Sequence, residues 1–67
     1  MEPTFAEALV LDYLARGLSD KAIAKALFVA PSTVKRQIHN VLPKLGARNR
    51  THAAIIWYRR SLLREVA

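Results

Sequence analysis

The 67-residue chain has no cysteine, only two glycines and three prolines, and aromatic residues make up 7% of it. Without cysteine there is no disulfide framework, no thiolate-held zinc and no thiol nucleophile, so the usual staples of small domains are missing. A chain of this length hides only about 60% of its unfolded surface on folding. One domain spanning residues 1–67 is therefore expected, resting on a plain hydrophobic core. The scarcity of glycine and proline beside 52% hydrophobic residues lies well outside the range of disordered segments. Long apolar runs are also absent. The longest in the C-terminal half, Ala53 to Tyr58, is far short of the roughly 20 residues that span a bilayer, and no signal-peptide pattern opens the chain. A soluble, cytoplasmic protein is the expectation.

Acidic residues are missing from one part of the chain only. Residues 1–20 carry Glu2, Glu7, Asp12 and Asp20 against the single base Arg16, whereas Lys21 to Arg64 contains ten Lys or Arg and neither Asp nor Glu. The net charge of +6 is thus the difference between an acidic N-terminal segment and a strongly basic remainder. A polyanion is the partner such one-signed patterning suits. A basic, merely solvated face is the plain alternative.

What is present reads as four helices, an all-α fold. Thr4 and Glu7 have the spacing of a capping box. They open a helix over about 5–15, with Phe5, Ala6, Leu9, Val10, Tyr13 and Leu14 recurring at steps of three and four. Gly17 suits the left-handed residue that closes it. Ser19 caps a second helix over about 20–27, with Asp20 at the positive end of its dipole and Ile23, Ala24 and Leu27 facing inward. Pro31, pre-organised for a first helical turn, begins a third over about 31–44. Val34, Ile38, Val41 and Leu45 cluster within about 60 degrees on its wheel. Ser32, Arg36, His39 and Asn40 stand opposite, with Thr33, Lys35, Gln37 and Lys44 on the flanks. Pro43 deletes a hydrogen bond and crowds the carbonyl of His39, so the helix is expected to end, tighten or kink there. Asn49 caps a fourth helix over about 50–65 that has two apolar faces. Ala53, Ile56, Trp57 and Leu63 form one; Ile55, Tyr58, Leu62 and Val66 form the other, which invites a second molecule.

The second and third helices, joined by the short Phe28-Val29-Ala30 turn, have the layout of a helix-turn-helix unit over residues 19–45. A helix that enters the major groove needs donors for base edges in its N-terminal half, flanked by groups that hold phosphates. Arg36 can bond guanine in bidentate fashion, Asn40 can pair with adenine, and Lys35 can reach guanine or phosphate. Thr33, Ser32 and the N-terminus of the third helix suit a phosphate oxygen, and Lys21 adds a cation beside them.

These residues resemble the LuxR-type (FixJ or NarL type) DNA-binding domain of bacterial transcription regulators. The match runs from Thr4 to Ala54, about three-quarters of the chain. It is densest at Ala15-Arg16-Gly17-Leu18-Ser19-Asp20-Lys21, Ile23-Ala24, Ser32-Thr33-Val34-Lys35, Asn40-Val41-Leu42 and Lys44-Leu45-Gly46-Ala47-Arg48-Asn49-Arg50. Gly-Leu-Ser, Thr-Val-Lys and Lys-Leu-Gly in this order and spacing are far more specific than any one of them. The resemblance implies sequence-specific binding of double-stranded DNA, with the third helix in the major groove and the fourth forming a homodimer. It implies base contacts from Lys35, Arg36 and His39, and backbone contacts from Thr33, Asn40, Lys44 and Arg48. It also implies an upstream sensory domain or a stand-alone regulator. The chain departs from the family pattern at Ala22, where a Glu usually completes a capping box, at Ala30, at Gln37, at Pro43, and at His52, which replaces an acidic residue.

Other readings have less behind them. His39 and His52 lie 13 residues apart with no nearby acid to orient either, so catalysis is not expected, nor is a metal or cofactor. A helix-turn-helix adaptor docking on a regulator or RNA polymerase would tolerate the altered caps. A basic amphipathic helix on a membrane would use Trp57, Tyr58, Arg59 and Arg60; no membrane is expected, since only one helix fits it.

Overall fold

The computed structural model describes the backbone of residues 1–66 and the side chains of residues 1–64. Its helices are α1 (Phe5–Ala15), α2 (Asp20–Leu27), α3 (Pro31–Leu45) and α4 (Arg50–Val66), with no strand among the described residues. Local chemistry sets each start. Thr4 and Glu7 form the reciprocal capping box: Glu7 N–H donates to Thr4 Oγ1 at 3.2 Å and Thr4 N–H to Glu7 Oε1 at 2.8 Å. Ser19 Oγ accepts the Ala22 N–H at 3.1 Å, and without a Glu at position 22 nothing reciprocates. Asn49 Oδ1 accepts the His52 N–H at 2.8 Å. No side chain caps α3, whose N-cap is Ala30 and whose first residue is Pro31.

The first three helices close in one way, through a residue in the left-handed region. Gly17, Phe28 and Gly46 have φ of 89°, 59° and 67°. The next residue then reaches back five positions, as in Leu18 N–H to Tyr13 O, Val29 N–H to Ala24 O, and Ala47 N–H to Leu42 O. An end to α3 at Pro43 does not form. The helix passes through it to Leu45, because Pro43 keeps a helical φ and sits on the exposed side. There water can take the His39 carbonyl that lacks its intrahelical donor.

Val10, Leu11, Leu14, Ile23, Ala24, Val34, Ile38, Val41, Leu45, Ala53 and Trp57 make one core. Each fully buried aliphatic side chain contributes about 1.5–3 kcal/mol. Two expectations fail at its margins. Phe5 is 82% exposed and Ala6 is exposed as well, while Leu11, absent from the predicted stripe, is completely buried. Helix α1 is apolar on nearly every side, so its three-and-four spacing does not single out one face. Leu63 is 70% exposed instead of lying with Trp57; Arg60 and Arg64 occupy that side and stack on the Trp57 ring at 5.9 and 5.3 Å from its centre.

Three polar bridges join distant segments. Glu7, on the buried face of α1, accepts from Lys44 of α3 at 2.7 Å. Arg50 of α4 forks onto Asp20 of α2, with Nη1 to Oδ2 at 3.0 Å and Nη2 to Oδ1 completing the pair. Trp57 Nε1 donates to Asp12 Oδ1 at 2.6 Å and ties α4 to α1. Among the described residues no helix is long and apolar enough to cross a membrane.

Candidate nucleic-acid interface

Helix α3 separates its residues by a 3.6-residue period. Val34, Ile38, Val41 and Leu45 are buried, and Ser32, Lys35, Arg36, His39 and Asn40 are exposed. The five exposed side chains include three bases or imidazoles and no acid. Thr33 and Gln37 are half-buried along the edge. At the N-terminus of α3 no side chain caps the helix; Pro31 has no N–H and the Thr33 N–H turns back to the Ala30 carbonyl at 3.0 Å, which leaves the Ser32 N–H as the open backbone donor. Lys21, in the first turn of α2, is exposed.

Asp20 lies at the junction of these elements. A shallow concavity of about 590 Å³ is lined by Ser19, Asp20, Lys21, Pro31, Lys35 and Arg50. The Arg50 guanidinium holds the Asp20 carboxyl below the ordinary carboxylate range against the opposing effect of burial, and the positive charge of Lys35 adds to it. Asp20 in turn raises Arg50 above the ordinary guanidinium value. Helices α2, α3 and α4 thus meet around one carboxylate, and Lys35 extends outward from its edge. The Asp20–Arg50 pair spans 30 positions, and no local spacing announces it in the sequence.

Lys44 and Arg48 differ in their surroundings. Lys44 is half-buried and points inward to Glu7; that bond and the Thr4 backbone N–H hold the Glu7 carboxyl below its ordinary range, over the opposing effect of burial. Arg48 is exposed in the α3–α4 turn, and its backbone N–H donates to His52 Nδ1 at 3.0 Å. The His52 ring thus holds the turn that carries Arg48.

On α4, Ile55, Tyr58 and Leu62 are exposed together, and the Val66 side chain lies outside the described residues. Ala53 and Trp57 are buried on the other side, so the helix does have two apolar faces with only one in the core.

An exposed, acid-free helix held across a second helix by a three-residue turn defines a helix-turn-helix domain. Residues 4–57 match the family described as bacterial regulatory proteins, luxR family, and the chain belongs to that family. It is 40% identical over 57 residues to the transcriptional regulatory protein YxjL of Bacillus subtilis, covering 85% of this chain and 26% of the relative. It is 48% identical over 48 residues to the nitrate/nitrite response regulator NarP of Escherichia coli, covering 72% of this chain and 22% of the relative. The DNA-binding transcriptional activator DevR/DosR of Mycobacterium tuberculosis is 43% identical over 49 residues, covering 73% of this chain and 23% of the relative. The chain spans about a quarter of the length of these relatives.

Proposed function

We propose that the chain binds duplex DNA in a sequence-specific manner and regulates bacterial transcription in the cytoplasm. In this reading α3 lies in the major groove of a half-site, and two copies are related by a two-fold axis through the Ile55, Tyr58 and Leu62 face of α4. The observation that carries it is the exposed row Ser32, Lys35, Arg36, His39 and Asn40, set opposite the buried stripe of α3. Lys35, Arg36 and His39 read base edges; Ser32, Thr33, Asn40, Lys21 and Arg48 hold phosphates, with the open N-terminus of α3 favouring an anion. Lys44 is also a phosphate contact in this reading. Its ammonium is shared with Glu7, so its variant reports on the packing of α1 against α3 as well. The similarity to transcriptional and nitrate/nitrite response regulators supports a role in transcription. The whole protein's sensory domain, or a contact with RNA polymerase, belongs to the same proposal.

Selection of bound duplexes from a random pool is the test. An imperfect palindrome with half-site centres about 10 bp apart is expected; an unenriched pool refutes sequence reading. On the selected duplex, Arg36→Ala or His39→Ala should cost about 1–3 kcal/mol and relax the base preference at one position. Arg48→Ala should weaken selected and scrambled duplexes alike and lower the salt slope by about one.

A further inference from the structure

Arg16, Arg59, Arg60 and Arg64 gather at the seam between α1 and α4. The first turn of α4 meets α2 through Arg50 and Asp20, but its second half packs on α1, where Trp57 bonds Asp12 and Arg60 faces Glu2 at 3.7 Å. Two concavities run along this seam and share Ala15 and Tyr58 as walls. One, of about 470 Å³, has an apolar floor of Ala54, Ile55 and Leu62 with Arg59 at its side. The other, of about 520 Å³, is bordered by Arg16 and Arg64 and also lined by Ser61 and by Asp12, whose carboxylate is bonded to Trp57. Together they make a groove with an apolar floor at one end and three guanidinium groups against one carboxylate along its edges.

A second copy of the chain can cover the floor but has little to offer the rim. Residues 21–64 contain no acid; Glu7, Asp12 and Asp20 are already bonded to Lys44, Trp57 and Arg50, Glu2 faces Arg60 at 3.7 Å, and the side chain of the fifth acid, Glu65, lies outside the described residues. Two such faces brought together set arginine against arginine, a repulsion that weakens self-pairing. A helix with apolar side chains at three- and four-residue steps and carboxylates on both flanks meets the floor and the rim at once, since guanidinium and carboxylate pair in bidentate geometry.

We propose that the α1/α4 groove is the docking site for an acidic amphipathic helix of a partner protein, which competes there with a second copy of the chain. The competition rests on the dimer assigned to α4 above; the docking does not.

The experiment uses a labelled 16-residue peptide with a leucine stripe flanked by glutamates and a matched peptide flanked by lysines, titrated into the full chain by fluorescence anisotropy. The glutamate peptide is expected to bind at least tenfold more tightly, and more weakly as salt rises. The double variant Arg16→Ala, Arg59→Ala should lose tenfold or more with its thermal melt unchanged. Equal affinity for the two peptides, or undiminished binding to the variant, overturns the docking site. Capture of the chain by phosphatidylglycerol vesicles with no peptide binding overturns it in favour of a membrane, and self-association with no peptide binding overturns it in favour of a second copy. Sedimentation of the saturated complex should show one chain per peptide, and two chains in that complex overturn the competition. Loss of DNA binding in a chain that still docks the peptide would refute the function proposed above and leave the docking site standing.

Discussion

Phe28 has the least comfortable backbone in the molecule. It is the only non-glycine residue with positive φ among the described residues, and its ring is 96% exposed. A left-handed L-residue costs about 1–2 kcal/mol, with no packing to offset it. Phe28→Gly should therefore raise stability by about 1 kcal/mol and the melting temperature by about 4–8 °C for a domain of this size; a thermal melt that stays level or falls would contradict the strain. Glu7 illustrates what is readable at this scale. Its capping role follows from Thr4 three positions away, but the partner that permits its burial, Lys44, lies 37 positions away, and nothing local encodes that distance. Glu7 and Asp20 both titrate below the ordinary carboxylate range. Their stabilisation is complete above the unfolded values near 4 and is lost as pH falls through the lower folded ones. Stability should hold from neutral pH down to about pH 4.5 and then drop. Glu7→Gln should flatten this acid limb in melts taken from pH 7 to pH 2.

At the scale of the elements, helix starts were legible because Thr4, Ser19, Pro31 and Asn49 each act on backbone groups a few residues away, and the end of α1 was legible at Gly17 for the same reason. Which way a helix faces was legible only where polar residues mark the other side. Helix α3 has such a side and its core stripe was read correctly. Helix α1 has none, so Phe5 was wrongly placed in its apolar stripe and Leu11 was missed. Of the outcomes expected at Pro43 an end to the helix does not form, because its cost depends on where the deprived carbonyl points, which a linear sequence does not display. Replacing it should restore one backbone hydrogen bond without disturbing the core. Pro43→Ala is expected to stabilise by about 1–2 kcal/mol, the helix-propensity gain less the entropy proline removes from the unfolded chain. Its base preference should be unchanged; a changed preference would show that Pro43 sets the pose of α3.

For the whole molecule, composition indicated one small basic domain, and the charge boundary near residue 20 was visible without a structure. The exposed row of the candidate interface, Ser32, Lys35, Arg36, His39 and Asn40, was legible because it sits on a single helix at helical spacing. The junction at Asp20 was not, since it joins three helices. Asp20→Asn removes a negative charge from beside Lys35 and releases Arg50. Affinity for scrambled duplexes should rise by a few fold with a steeper salt slope, while about 1–2 kcal/mol of stability is lost. Binding titrations at several salt concentrations, paired with denaturant melts, check both halves.

The one tryptophan and both tyrosines lie on α1 and α4, and no Trp or Tyr falls between Ser19 and Leu45. Tryptophan and tyrosine emission therefore originates from the half of the molecule that carries Trp57 against Asp12. Events on α3 are optically silent unless they reach that seam, and events on α4 are not. The chain's own fluorescence thus distinguishes which of its two surfaces has been occupied, with no label attached.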